Sequence, residues 1–584
     1  MKSGRMLVTT VVLLLMALWA SQALAQKPQN PGIFQPYSAP VSSTLRFWAS
    51  DAGKDLLLHS PSPMALLLLQ KFHPDAAGQY PQQPMLQPGP RGGVRPAISV
   101  TGCGSSSGTV MNLEPSTNAV GQYQPSIDFL LSELGSGKDL VVEAAHDLRG
   151  LYGTFDSNDA EYVHRDGTQS CYGGSDFEMG NPPIADPYFP GDMLYGIGNA
   201  RVLADPNASR KQFIFADLRY NGTTSGIGLR RISASNFENT GTCPAGTLNQ
   251  AQEATCAGTH AIIVDASLDN YADSPSIAQD PRTSGTGAGD IYIVDASYRY
   301  LRTVISIIAC KPTFNSASDC SPAYVISGSQ SSTQFPSIAV VAGGANAGNL
   351  VISFVGDDGI EYVNCTPAGA PSHPVCHSPQ VINDSDILYT SLADNPLMYL
   401  TTWPQIAVRT DGSGQTIFVV WSDCKLATAY PLYGCPDANV VMSTATSITG
   451  SSWSFRHVRT STGHQFLPAI AYDTGQNIIN IAYYDTGSDH YKNRTVMGLN
   501  QIASGTTTVG STVHLTTSYD SLQGDGTTYP YDYSPGDYIG LAAHGGSGAG
   551  SSRIYVGFVN NARNGTYSGV SNTQADNNVS RATY

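Results

Sequence analysis

Charge is scarce in this sequence. Only 13% of its 584 residues are Asp, Glu, Lys or Arg, and the 30 basic side chains are outnumbered by 45 acidic ones. A formal net charge of −15 argues against nucleic acid as a partner, because phosphate binding needs a basic surface. It argues equally against adsorption to anionic lipid. Amphipathic helical patterns are few. Beyond the N-terminus no stretch approaches the ~20 apolar residues of a spanning helix, so no transmembrane segment is expected in the mature chain. No C-x-x-C spacing occurs, which removes the usual zinc and thioredoxin-like redox sites. Neither a Ser-His-Asp arrangement nor a phosphate-loop pattern stands out.

What is present reads as an exported, strand-rich chain. Lys2 and Arg5 precede an apolar run from Leu7 to Trp19, and Ala23-Leu24-Ala25 supplies a small-x-small cleavage pattern. Residues 1–25 are therefore expected to be a signal peptide, cut after Ala25, with the mature protein secreted or periplasmic. Losing Lys2 and Arg5 takes the formal charge to about −17, one unit for each residue removed from −15. The ten cysteines suit a disulfide framework in that compartment. Eight lie in close pairs: Cys243 with Cys256, Cys310 with Cys320, Cys365 with Cys376 and Cys424 with Cys435. Cys103 and Cys171 pair by elimination. Each short staple is worth on the order of 3 kcal/mol in the chain-entropy account.

The sequence also repeats itself. WPQIAVRTDGSGQTIFVVWSD, Trp403 to Asp423, reads as an apolar strand, a Gly-containing turn and a second apolar strand ending on Asp. QPSIDF at Gln124 leads likewise to Asp147, SPSIAQD at Ser274 to Asp295, FPSIAVV at Phe335 to Asp357 and LPAIAYD at Leu467 to Asp485. NARVLADP at Asn199 leads to Asp217, and DYIGLAA at Asp537 to Asn560. Seven units spaced by roughly 60 to 80 residues, each with room for four short strands, predict an all-β fold. The expectation is a seven-bladed β-propeller with four-stranded antiparallel blades, six or eight being the alternatives. It occupies residues 93–567, and 93–120 hold a candidate strand that would complete the last blade and lock the ring. Residues 26–92 read as an extension and Pro/Gln-rich linker, with a short helix around Leu66 to Leu69. Residues 568–584 read as a polar tail.

Hairpin geometry places the end of each second strand beside the start of the first. Asp147, Asp217, Asp295, Asp357, Asp423 and Asp485 then form an interrupted ring on one face, close to Tyr123, Trp403, Gln465, Phe466 and Tyr538. Such aspartates either fix their own turns or face a common cleft that takes a polar ligand or Ca²⁺. No complete Ca²⁺ loop accompanies them, Asp384-Ser385-Asp386 being too short, so no cofactor or metal is expected. Asp147-Leu148-Arg149, Asp217-Leu218-Arg219 and Asn561-Ala562-Arg563 add three guanidinium groups. These either clamp a carboxylate or pair with a neighbouring blade's Asp.

These phrases resemble the sialidase-like, BNR-repeat propellers secreted by bacteria, over roughly residues 120–565. QYQPSIDF with VVEAAHDLRG resembles that group's first blade, and SPGDYIGLAA with RIYVGFVNNARNG its last. The Asp-box S-x-D-x-G-x-x-W is matched at Thr446 to Trp453, with Ile448 in the place of its Asp. The resemblance implies a glycan-acting propeller. Sialidases of the family hold a carboxylate with three Arg and use a Tyr nucleophile, for which Arg149, Arg219 and Arg563 and the run Tyr529, Tyr531, Tyr533 and Tyr538 are the candidates. Arg95-Pro96 stands where the family has Arg-x-Pro. Three functions compete: a propeller binding carbohydrate or a cell-surface protein through one rim, a sialidase-like glycosidase, and a structural envelope protein. The absence of a distinguishable catalytic set places binding first. The candidate ligand contacts are Arg149, Arg219, Arg563, Asp147, Asp217, Asp423, Asp485, Trp403 and Tyr538.

Overall fold

The fold follows from strands too short and too apolar to stand alone. In a computed structural model, seven antiparallel sheets are arranged around one axis and bury each other's faces. The structure describes residues 109–583 apart from several intervening stretches, among them 113–121, 148–158, 166–175, 392–398, 425–434 and 522–537. The signal peptide, the linker with its short helix, Arg95, the Cys103–Cys171 pair, Arg149, Asp384 to Asp386 and Tyr529 to Tyr533 lie outside the described residues.

Blade 1 runs through Gln122–Leu130, Leu140–Asp147, Asp159–His164 and Phe177–Gly180. Blade 2 runs through Met193–Asp205, Gln212–Tyr220, Ser225–Ser233 and Ala261–Ser267. Blades 3 to 6 begin with the inner strands Tyr271–Gln279, Gln334–Val340, Gln405–Asp411 and Gln465–Asp473. Blade 7 begins at Gly540–Gly545 and continues through Ser552–Tyr567. Its third strand is Val570–Thr583, drawn from the residues expected to form a polar tail. Register explains the difference: Ile554, Val556 and Phe558 need a partner on their far edge, and Ala582, Ser580 and Asn578 provide it. The outermost strand of that blade is Thr109–Asn112, with Thr109 opposite Arg581. The two ends of the ring are thus joined by one ladder.

Second strands sit between two neighbours and are buried on both faces, so they read as continuous apolar runs. Leu350–Gly356 (LVISFVG) is buried at every position. Interfaces between blades are close-packed. Leu130, Val142, Val163 and Phe177 of blade 1 meet Val202, Phe213 and Phe215 of blade 2. Ile127, Phe129 and Tyr162 on the opposite face of blade 1 meet Ala542, Tyr555 and Val579 of blade 7. Four disulfides, Cys243–Cys256, Cys310–Cys320, Cys365–Cys376 and Cys424–Cys435, join residues 10 to 13 apart in sequence. Disulfides of this kind persist in oxidising compartments. No helix among the described residues is long and apolar enough to cross a membrane.

The repeated x-Pro-x-Ile phrase has a specific structural meaning. In five blades the register slips within it, a β-bulge in the first turn of the inner strand. In four of these the residue before the Pro position has positive φ: Asn199 57°, Ser274 53°, Phe335 56° and Leu467 48°. Non-glycine residues seldom adopt that conformation. The bulge re-aims one side chain per blade, and at these positions the chain turns toward the axis.

Candidate axial binding site

Residues just before the Pro position of the repeated phrase close one end of the central channel. Phe335 of blade 4 and Trp403 of blade 5 have ring centroids 5.0 Å apart, and Trp403 meets Tyr538 of blade 7 edge-on at 5.1 Å. The Tyr538 hydroxyl donates to the Ala200 carbonyl of blade 2 at 3.1 Å, and Trp403 Nε1 to the Pro336 carbonyl at 3.1 Å. Phe335, Trp403, Leu467 and Tyr538 are each 2% exposed. Arg201 of blade 2 lies beneath this plug. Its guanidinium carbon is 3.5 Å from the Tyr538 ring centroid and 4.7 Å from that of Trp403, and its Nε donates to the Pro275 carbonyl of blade 3. Side chains from blades on opposite sides of the ring therefore interlock across the axis.

Below the plug the channel is hollow. All seven inner strands line a cavity of about 230 Å³. Its floor is set by the third position of the repeated phrase, directly after the Pro position, occupied in turn by Ser126, Arg201, Ser276, Ser337, Gln405, Ala469 and Gly540. The serines at two of these positions serve the neighbouring blade: Ser126 Oγ accepts from Val202 N–H and Ser337 Oγ from Ile406 N–H. The aliphatic walls include Ile277, Ile470 and Leu541. Toward the open end, His544 Nε2 of blade 7 is 2.7 Å from Asp128 Oδ1 of blade 1, while Asp128 Oδ2 accepts Ala204 N–H. The His544 ring is tilted against Phe129 at 4.7 Å. Burial opposes the imidazolium, but Asp128, Asp473 and Asp139 outweigh it and raise the His544 pKa above its ordinary value. Tyr472 completes the wall, with its hydroxyl donating to Asn477 Oδ1.

The aspartate corners sit at the plugged end. Gln122 pairs with Asp147 and Gln465 with Asp485 where the hairpins meet. Asp485 accepts from Gly487 N–H at 2.8 Å and Gln465 Nε2 at 3.2 Å, and it pairs with Arg459. Asp295 accepts from the Ser297 hydroxyl at 2.5 Å and is fully buried. Asp357 accepts Ser332 N–H. Asp423, opposite Asn439 in blade 5, is half-buried. These groups fix corners within and between blades.

Asp217 and Arg219 form a buried pair at 2.7 Å in blade 2. Asp217 also accepts from Asn181 Nδ2, and Arg219 Nη1 donates to the Pro182 carbonyl. Gly228 lies against them, where a β-carbon would fall on Arg219 Nε and Asp217 Oδ1. Beside them, Glu161 of blade 1 pairs with Arg230 of blade 2. Burial raises Glu161 to about 7 against the pull of Arg230, and raises Asp217 to about 7 against the pull of Arg219. Arg219 thus faces the blade interface, fully buried. Arg563 stands opposite Gln574 in blade 7.

Trp403 and Tyr538, expected on a rim, are interior, packed edge-on against each other and over the Arg201 guanidinium. Sequence reasoning missed Arg201, Gln405, Asp128 and His544. Aligning the seven phrases by their Pro position would have found the first two, as the long polar members of a column otherwise small. Where the Asp-box has its Asp, Ile448 is buried and its carbonyl accepts the Tyr362 hydroxyl of blade 4 at 2.6 Å.

No protein-family model and no curated protein sequence matches the chain. Among solved structures it resembles the polysaccharide lyase Uly1, at 8% identity over 81% of this chain and 90% of that one, with a TM-score of 0.36. It resembles the Hadza microbial sialidase Hz136 at 10% identity over 82% and 93%, with a TM-score of 0.34. A mutant of AofleA from Arthrobotrys oligospora matches at 8% identity over 67% and 86%, with a TM-score of 0.32. Likeness at this level says nothing of what this chain binds.

Proposed function

We propose that the protein is a non-hydrolytic, carbohydrate-binding propeller of an oxidising, extracytoplasmic compartment. Its ligand enters the axial cavity from the face opposite the aspartate corners. The observation that carries this reading is the blind end: the aromatic plug turns a through-channel into one pocket where polar groups from several blades converge. Asp128, His544, Arg201, Gln405 and Tyr472 offer acceptors and donors in the mixture that clustered hydroxyls require. The walls of Ile277, Ile470 and Leu541 suit the C–H faces of a sugar ring. A volume of about 230 Å³ fits one ring better than a chain, since pockets for larger ligands run to ~300–1,000 Å³. A sialidase-like Arg clamp is less well supported, because Arg219 is held in the blade interface by Asp217.

The test is titration calorimetry of the oxidised protein against a panel of monosaccharides, with Asp128→Asn and His544→Ala in parallel. Binding that weakens at least ten-fold in both variants is expected. Absence of binding to every sugar, or turnover of a fluorogenic sialoside, overturns the reading.

A further inference from the structure

The chemistry of the floor narrows the ligand class. Five of the seven floor positions carry Ser, Ala or Gly, and two carry long polar side chains. Those two, Arg201 in blade 2 and Gln405 in blade 5, are three blades apart, as far across a seven-membered ring as two positions can be. The equivalent Ser126 and Ser337 each accept a neighbour's backbone N–H. Gln405, half-buried at the cavity floor, makes no such bond, and among the described residues its amide has no hydrogen-bond partner. Arg201 is held in place by the Tyr538 and Trp403 rings and the Pro275 carbonyl.

A guanidinium only donates, whereas a carboxamide donates and accepts. Lining the same small aliphatic-walled space, they complement a group with a carbonyl, an adjacent N–H and a small apolar cap. Resting on the carbohydrate reading above, we infer that the axial cavity selects a 2-acetamido sugar. The acetamido carbonyl accepts from Arg201, its N–H donates to Gln405 Oε1, and its methyl group lies against the aliphatic wall. Sugar hydroxyls then face Asp128 and His544 at the open end. A parent hexose would leave the Gln405 amide without its partner, and losses of that kind are heavily felt in enclosed sites.

Calorimetry with N-acetylglucosamine, N-acetylgalactosamine, glucose, galactose and glucosamine tests this. N-acetyl-lysine is added to separate the acetamido group on a sugar from the same group on a peptide. At least one acetamido sugar is expected to bind ten-fold or more tightly than its parent hexose, than glucosamine and than N-acetyl-lysine. Gln405→Met keeps the side-chain length but removes the amide, and should abolish that preference at an unchanged unfolding midpoint. Trp403 fluorescence should respond to the acetamido sugar in the native protein. Equal affinity for hexose and acetamido sugar, a preference surviving in Gln405→Met, or tighter binding of N-acetyl-lysine overturns the inference and leaves the carbohydrate reading standing. Failure of every sugar overturns both. If Gln405→Met does not fold, Gln405→Leu is read in its place by the same criteria.

Discussion

The two ends of the propeller axis are built from the same seven strands and do opposite things. At one end, Phe335, Trp403, Leu467 and Tyr538 turn inward ahead of their inner strands, and the channel is sealed by side chains 2% exposed. At the other, no aromatic plug crosses the axis among the described residues, and the His544 side chain remains 42% exposed beside Asp128. The sealed end couples blades 2, 5 and 7, which lie apart around the ring, whereas Asp128 at the open end joins blade 1 only to its adjacent blades 7 and 2. A closed ring needs one rigid hub, and placing that hub at one end leaves the other free to vary in chemistry.

On that division, substitutions at the sealed end should cost stability first. Trp403→Ala removes the ring contacts to Phe335 and Tyr538 and one support of Arg201. An expected loss of about 3–5 kcal/mol is read from denaturant unfolding. Flanking that end, Arg230→Ala strands the buried Glu161 carboxylate and should destabilise by ~3–4 kcal/mol, measured in the same way.

The next effect is a pH slope. Glu161 and Asp217 each titrate near 7 in the folded chain, above the ~4 of unfolded carboxylates. Burial also raises Glu143, between blades 1 and 7, well above its ordinary value. These groups hold protons more tightly when folded. Their contribution to stability is fully present below the unfolded pKa of ~4 and is lost as pH rises through about 7. The thermal midpoint should therefore fall between pH 5 and 8, and Glu161→Gln should flatten the fall. A midpoint rising over that window would contradict the assignment.

The smallest stability effect belongs to the open end. His544→Ala removes a contact that is partly solvent-screened, so less than ~1 kcal/mol is expected, while sugar affinity drops at least ten-fold. A large loss of stability there, with affinity intact, would erase the distinction between the two ends.

Much of the architecture was legible in the sequence because propeller blades repeat. QPSIDF, SPSIAQD, FPSIAVV and LPAIAYD each open a blade, and even the divergent NARVLADP does so. The aspartate corners were legible too, since hairpin geometry alone places Asp147 beside Gln122. The inward direction of the side chain before the Pro position was not. Strict alternation puts Trp403 at the edge of a strand, whereas the axis draws it inward beside Tyr538, 135 positions along the chain from it. Arg201 was hidden because its copy has Ala in place of Pro. The last strand was hidden by composition: Val570–Thr583 is rich in Asn, Ser and Thr, and it pairs by backbone bonds that composition does not advertise.

Joining Thr109–Asn112 to Val570–Thr583 also sets an order of events. During synthesis the first of these segments emerges without a neighbour and must wait until the last blade has been made. Until then the wheel stays open at one spoke, its final hydrophobic seam exposed. Capture of that early segment by another copy's last blade would chain molecules head to tail, a hazard favoured by slow or interrupted elongation.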